Sequence, residues 1–263
     1  VYANTTGSGL VAIGYQAAGK NTTGQNSTAL GYYVLGENTT ASWNTGAGYT
    51  ALNSNTTGEF NTALGARSLY SNTTASENTA VGYQASYSNT TGTLNTVVGE
   101  RAAYLNTTGE RNVAIGNTAL FSNTTGVRSV AIGMDALALN TTGNYNVAIG
   151  YQASYSQTAN AENVAIGYQA LYYNLADVNT AVGYCSLINN STGAENTAVG
   201  NRTMLANTTG EKNTAIGRQA LQANTTGSYN TAVGYNAGLS HTTGTANTFI
   251  GIRAGVSATT GTY

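Results

Sequence analysis

Polar and apolar positions along this chain recur at a fixed interval. Written from Leu10 in lines of seventeen, the sequence falls into register, with lines starting at 10, 27, 44, 61, 78, 95, 112, 129, 146, 163, 179, 196, 213, 230 and 247. Only the step from 163 to 179 is one residue short, where NLADV replaces the usual NTTG and its two following residues. With the positions of a line numbered as slots 0 to 16, the consensus is N-T-A-V-G-Y-x-A-L-Y-x-N-T-T-G-x-x. Sameness at a fixed period marks stacked units that cannot bury their apolar faces alone. Residues 1–263 therefore form a single repeat domain, with a partial rung over 1–9 and fifteen rungs over 10–263.

Seventeen residues are too few for the paired helices of α-repeats, which need about thirty. Slot 1 is always Thr or Val, and slot 3 is Ile, Val or Leu in every rung but the one holding Ala47. Such β-branched positions favour strands, and NTTG supplies turn formers. The predicted fold is all-β, a parallel β-solenoid or β-roll of fifteen coils. Each coil is expected to hold two short strands, over slots 0–3 and about slots 5–10, with rungs rising by roughly 4.8 Å. Slot 4 is glycine in every rung: Gly14, Gly31, Gly48, Gly65, Gly82, Gly99, Gly116, Gly133, Gly150, Gly167, Gly183, Gly200, Gly217, Gly234 and Gly251. A corner needing positive φ or close backbone approach explains that column.

Alternate residues of a strand face opposite ways. With slots 1 and 3 pointing into the coil, slot 2 would point out, yet slot 2 is Ala in twelve rungs. Slot 7 is mostly Ala and slot 8 often Leu, as at Leu52, Leu69, Leu120 and Leu171. Both faces of the ribbon thus read as covered. The expectation is that rows of Ala and Leu pack against a neighbouring chain in a multi-chain fibre, because one Ile or Val, one Leu and two Ala are little burial against the entropy of ordering a rung.

Charged residues are 7% of the chain, proline is absent and net charge is −1. No basic stripe exists to neutralise phosphates, so nucleic acid is not an expected partner. No apolar run reaches membrane-spanning length, so no membrane insertion is expected. The opening VYANTTG, without a methionine, reads as a processed or excised piece. Neither end carries an evident cap, so open edges call for neighbouring domains or further subunits.

The strings NTAVGYQA (Asn78–Ala85), NVAIGYQALYYN (Asn163–Asn174) and NTTGSYNTAVGY (Asn224–Tyr235) resemble the NTA(I/L)GYxAL…NTTG repeats of bacterial and phage tail-fibre-like proteins. They are also similar to the VAIG repeats in the heads of trimeric autotransporter adhesins. The resemblance covers essentially the whole chain. It implies a left-handed parallel β-roll assembled as trimers, with an intramolecular chaperone domain often following in the tail-fibre group. The adhesin repeat is shorter than seventeen residues, and no chaperone, stalk or membrane anchor is present in this sequence.

Candidate chemistry is sparse. His241 is the only histidine and Cys185 the only cysteine. His241, at slot 11 where most rungs have Asn, reads as a substituted turn residue, and Cys185 as a small packed side chain, rather than as catalysts. Acids and bases fall mainly at slots 5–6 and 15–16, as at Glu100, Arg101, Glu211 and Lys212, and read as solvated corner charges. Calcium-type β-roll turns and phosphate loops are missing. No catalytic residue, metal or cofactor is therefore expected.

Slot 11 supplies twelve N-x-T sequons, from Asn4 and Asn21 to Asn224, which read as a ladder of amides rather than a row of glycans. Tyrosines form two sets: slot 5 at Tyr15, Tyr32, Tyr49, Tyr151, Tyr168 and Tyr184, and slot 9 at Tyr70, Tyr87 and Tyr104, continued by Phe121. They read as stacking ladders, with a sugar-binding surface as the sharper alternative.

The expected function is a non-enzymatic shaft or adhesive head of an extracellular bacterial or phage fibre, on a cell surface or virion. Its expected partners are further copies, as a homotrimer or end-to-end filament, and cell-surface glycans. An ice-binding solenoid is the rival reading, from ranks of Thr along NTTG.

Overall fold

The structure, a computed structural model, describes residues 2–261. It is all-β: fifteen three-residue parallel strands form a β-solenoid, and no helix occurs among the described residues. The chain divides into two compact units, Val1–Ser129 and Val130–Tyr263. The first holds β1 (Val11–Ile13), β2 (Thr28–Leu30), β3 (Thr45–Ala47), β4 (Thr62–Leu64), β5 (Thr79–Val81), β6 (Thr96–Val98) and β7 (Val113–Ile115). Within this unit consecutive strands pair in register, seventeen residues apart, as in Ala63 with Ala80. The second holds β8 (Val130–Ile132), β9 (Val147–Ile149), β10 (Val164–Ile166), β11 (Thr180–Val182), β12 (Thr197–Val199), β13 (Thr214–Ile216), β14 (Thr231–Val233) and β15 (Thr248–Ile250). There the short rung passes without a break: Ala165 pairs with Ala181 at a step of sixteen. The residue lost from the turn after β10 leaves the strand register untouched.

The expected second strand is not there. Slots 6 and 8 carry positive φ, as at Arg67 (59°) and Leu69 (47°), and short-range bonds replace extended pairing. In the rung from Asn61, the amide of Ser68 donates to Gly65 O (3.3 Å), and that of Asn72 to Leu69 O (3.2 Å). Closing a coil in seventeen residues leaves three that run straight; the others turn. The turns still bond between rungs: Leu69 N donates to Ala85 O and Ser71 N to Tyr87 O, at 3.0 and 3.1 Å. Backbone polar groups in the corners are thereby satisfied although no strand is present.

Facing is also the reverse of the expectation. In the interior strands of both units slot 2 is the buried position, with Ala63, Ala80, Ala114, Ala148 and Ala198 fully inside. Slots 1 and 3 look outward, leaving Leu64 and Ile115 about a third exposed, at 38% and 36%. Slots 7 and 8 also point inward, so Leu52, Leu69, Leu120, Leu171 and Leu221 are buried within their own coils. The Ala and Leu rows therefore cover no neighbouring chain. Slot 2 is small because the coil is narrow.

Asparagine supplies the rest of the interior. Slot 0 and slot 11 are buried at Asn44, Asn55, Asn61, Asn72, Asn78 and Asn89. Within one rung, both Asn44 and Asn55 donate through Nδ2 to Gly58 O, at 2.8 and 2.9 Å, tying the NTTG turn to the strand across the coil. Between rungs, slot-11 asparagines form a column in which Nδ2 reaches the Oδ1 of the preceding one, as Asn72 to Asn55 (2.8 Å) and Asn106 to Asn89 (2.9 Å); Gln157 and His241 interrupt it. Slot 0 adds a third set, in which Asn61 N donates to Asn44 Oδ1 (2.9 Å). Slot-12 threonines extend the pattern outward, Thr56 Oγ1 donating to Thr73 O at 3.0 Å.

The slot-4 glycines meet both conditions named for them. At Gly82 φ is 134°, and a Cβ there would lie 2.5 Å from Gly99 O. Stacked corners approach too closely for any side chain.

Departures from the consensus offset one another in volume. Gly46 replaces the slot-2 alanine where Val34 replaces a slot-7 alanine, and a Cβ on Gly46 would sit 2.5 Å from Val34 Cγ1. Phe249 stands at slot 2 where Gly238 and Gly255 have removed the slot-8 side chain, and a Cβ on either would lie under 3 Å from its ring. Total interior volume is conserved rather than each residue.

Candidate functional site

Three kinds of surface remain once the interior is assigned. The first is the outward strand face. Slot 1 places threonine or valine on it and slot 3 an aliphatic residue, so β4 to β6 present Thr62, Leu64, Thr79, Val81, Thr96 and Val98 side by side. Strand spacing sets these ranks about 4.8 Å apart. The ranks are uncharged, a row of threonines beside a row of aliphatic side chains.

The second is aromatic. Tyr15, Tyr32 and Tyr49 stack at centroid separations of 5.3 Å, and Tyr70, Tyr87, Tyr104 and Phe121 at 5.2 to 5.3 Å. In the second unit Tyr151, Tyr168 and Tyr184 form the slot-5 column, at 5.3 and 5.1 Å. The slot-9 pair Tyr155 and Tyr172 stacks likewise at 5.1 Å, and the slot-16 pair Trp43 and Phe60 lies parallel at a wider 6.4 Å. These two pairs go unnoticed in the sequence reading, although like residues seventeen apart announce them. Trp43 and Phe60 hold positive φ, 62° and 57°, where Asn26 stands in the first rung.

Burial raises the phenol of Tyr33, which packs across Tyr15 and Tyr32, above its ordinary value, and those two hydroxyls add to the effect. Burial likewise raises Tyr172. Both therefore stay protonated donors through neutral pH.

The third surface is a cleft in the first unit, about 140 Å³ in volume, lined by Tyr49, Thr50, Arg67, Tyr70 and Tyr87. It lies where one column stops and the other starts. After Tyr49 the slot-5 residue is Ala66, and before Tyr70 the slot-9 residue is Asn53.

The remaining candidates stay apart from one another. His241 is fully buried at slot 11, where its Nε2 sits 2.9 Å from Gly244 O in the place of an asparagine amide, and its ring meets Phe249 edge-on. Cys185 is buried and free, in a turn rather than a second strand, and burial raises its thiol above the ordinary 9.0. A few charged side chains form exposed pairs, as Lys20 with Glu37 and Arg111 with Glu110. Among the described residues no three His, Cys, Asp or Glu side chains gather in one place, and no helix is long and apolar enough to cross a membrane. Comparison with protein-family models, with curated proteins and with solved structures finds no match for this chain.

Proposed function

We propose that this chain is a non-enzymatic structural segment of an extracellular bacterial or phage fibre, a shaft or adhesive head that assembles as a homotrimer through its outward strand face. One observation carries the reading. Each coil fills its own interior with Ala, Leu and Asn, so the β-branched and aliphatic residues of slots 1 and 3 are left outside in continuous ranks. Contiguous exposed apolar patches mark interaction surfaces, and three such ranks can pack about a three-fold axis, each meeting its neighbours head-to-tail in a closed ring. The resemblance of the NTAVGYQA and NTTG strings to fibre and adhesin repeats points the same way. Sedimentation equilibrium over a hundredfold range of concentration tests it. A species of three chain masses is expected, reduced to a monomer with unchanged circular dichroism by Val98→Glu with Ile115→Glu; a monomer throughout for the unaltered chain overturns the reading.

Ice binding has support of its own, on a different surface from NTTG. The slot-12 hydroxyls of that edge are spent on ladder bonds, as from Thr56 to Thr73 and Thr90 to Thr107. Slot-1 threonines on the flat strand face are a regular rank instead. Thermal hysteresis that disappears in Thr79→Lys is the outcome this second reading requires.

A further inference from the structure

We infer that the cleft between the two tyrosine columns of the first unit is a binding site for a carboxylate-bearing sugar ring, a hexuronate unit of a glycan. The inference is independent of the assembly proposed above.

Each wall is a ring face whose stacking partner is missing. Tyr32 covers one face of Tyr49, with the planes 8° apart, and the rung beyond offers only Ala66 to the other. Tyr87 covers one face of Tyr70, with the planes 4° apart, and the rung before it offers Asn53. Asn53 is held elsewhere, donating Nδ2 to Tyr33 O at 3.0 Å. The ladder thus breaks and restarts one rung later on a different column, and the step leaves room for about one ring. Tyrosine faces accept the C–H patch of a chair-form sugar ring, and their hydroxyls stay at the rim as polar handles.

Thr50 lines the same cleft. It is buried, with 8% exposure, and its backbone amide is used by Tyr32 O at 2.8 Å, but its Oγ1 has no hydrogen-bond partner. A buried hydroxyl without a partner is costly and calls for a ligand atom or water. Elsewhere slot 6 more often carries longer side chains such as Gln84, Arg101 and Gln152, and the short threonine is what opens the space.

Arg67 gives the site its sign. It makes no ion pair and no side-chain hydrogen bond, whereas the next slot-6 arginine, Arg101, donates Nε to Gln84 Oε1 at 3.2 Å. A free guanidinium beside aromatic faces fits a carboxylate with two parallel N–H donors. Neutral sugars would use the walls and Thr50 and leave Arg67 idle. A hexuronate uses all of them: carboxylate to Arg67, a ring hydroxyl to Thr50 Oγ1, the C–H face to Tyr49 or Tyr70.

Titration of the full chain with digalacturonate, followed by saturation-transfer NMR and calorimetry, tests this. Binding in the millimolar range or tighter is expected, weakened at least tenfold by Arg67→Gln and less by Arg67→Lys. Thr50→Val should weaken it several-fold, and Arg202→Gln, at slot 6 of the second unit, should leave it unchanged. Circular dichroism melts of each variant identify any that fail to fold. Equal affinity for a neutral disaccharide overturns the inference, as does displacement of the sugar by acetate at equal concentration, or full binding in Arg67→Gln.

Discussion

Asn72 offers the most direct test of the interior. Its side chain is fully buried and makes three bonds: Nδ2 donates to Asn55 Oδ1 (2.8 Å) and to Ala75 O (2.9 Å), and Oδ1 accepts from Asn89 Nδ2 (3.1 Å). Asn72→Asp keeps the shape and removes both donors. Ala75 O retains its bond from Asn61 Nδ2 at 2.8 Å, but Asn55 Oδ1 is left bare. An orphaned buried acceptor costs about 1–3 kcal/mol, and a buried carboxylate adds a penalty of its own.

That carboxylate will hold its proton more tightly folded than unfolded. A folded-state value above the unfolded one means the deficit is smallest at low pH and grows as pH rises past the unfolded value near 3.9. A loss of about 1–2 kcal/mol at pH 4, growing to about 3–5 at pH 7, is therefore expected. Asn72→Ala should lose about 3 kcal/mol at both, as it leaves a cavity but nothing that titrates. Urea unfolding followed by circular dichroism measures this, with hydrogen exchange at Ser71–Leu94 testing whether the rungs unfold together. An Asn72→Asp variant within 0.5 kcal/mol of the parent at pH 7, or with no pH slope, would show that the amide column does not hold the coil.

Other expectations follow from single contacts. Gly82→Ala combines φ of 134° with a 2.5 Å clash on Gly99 O, whereas Gly251 has φ of 118° and nothing within 4 Å of a Cβ; alanine should unfold the neighbouring rungs at Gly82 and cost only about 1–3 kcal/mol at Gly251, read from thermal melts. Phe249→Ala should lose about 3–5 kcal/mol, and adding Gly238→Leu should recover a good part, because Gly238 shares the positive φ (60°) at which Leu221 stands (48°) one rung earlier. Ala114→Leu should destabilise by overpacking by about 1–3 kcal/mol. Ile115→Thr should leave the melting point of the dissociated chain within about 2 °C. Sedimentation and melting together separate the two. The Cys185 thiol, raised by burial, contributes stability that is intact below pH 9.0 and declines above it; its native-state reaction with a disulfide reagent at pH 8 should be at least tenfold slower than in urea.

The period, the parallel register and the corner glycines are legible in the sequence because each repeats fifteen times. A column such as Gly82, Gly99 and Gly116 admits few explanations. The facing of the strand was not recoverable from alternation alone. Thr79-Ala80-Val81 alternates by size, and size suggests that Val lies inside. What decides is the width of the coil, which a single rung does not disclose. Pairs of departures disclose it: Gly46 with Val34, and Phe249 with Gly238, show that slot 2 shares a cavity with slots 7 and 8. The corner at slots 5–10 was misread as a strand because its residues, such as Tyr83-Gln84-Ala85-Ser86, carry no turn signature; Gln84 (56°) and Ser86 (52°) take positive φ under tertiary control. The cleft was invisible to a reading by columns. It exists where the slot-5 column breaks at Ala66, and breaks are what consensus suppresses.

Narrow coil and apolar exterior are one consequence of the same geometry. A seventeen-residue turn encloses two asparagines, two small residues and one leucine, which leaves no interior place for the β-branched side chains the strand prefers. Ranks at slots 1 and 3 are therefore displaced to the outside, 38% exposed at Leu64 and 42% at Ile216 in interior strands. Polar residues there would satisfy a monomer equally well, since slot 1 accepts Thr and Val interchangeably within one column. Slot 3, in contrast, holds Ile, Val or Leu in every rung but one although nothing inside the coil requires it. Strand propensity favours Ile and Val at such a position, and an apolar row along one face is what an interaction surface needs. The trimer proposed above would cover that row with the matching rows of two further copies.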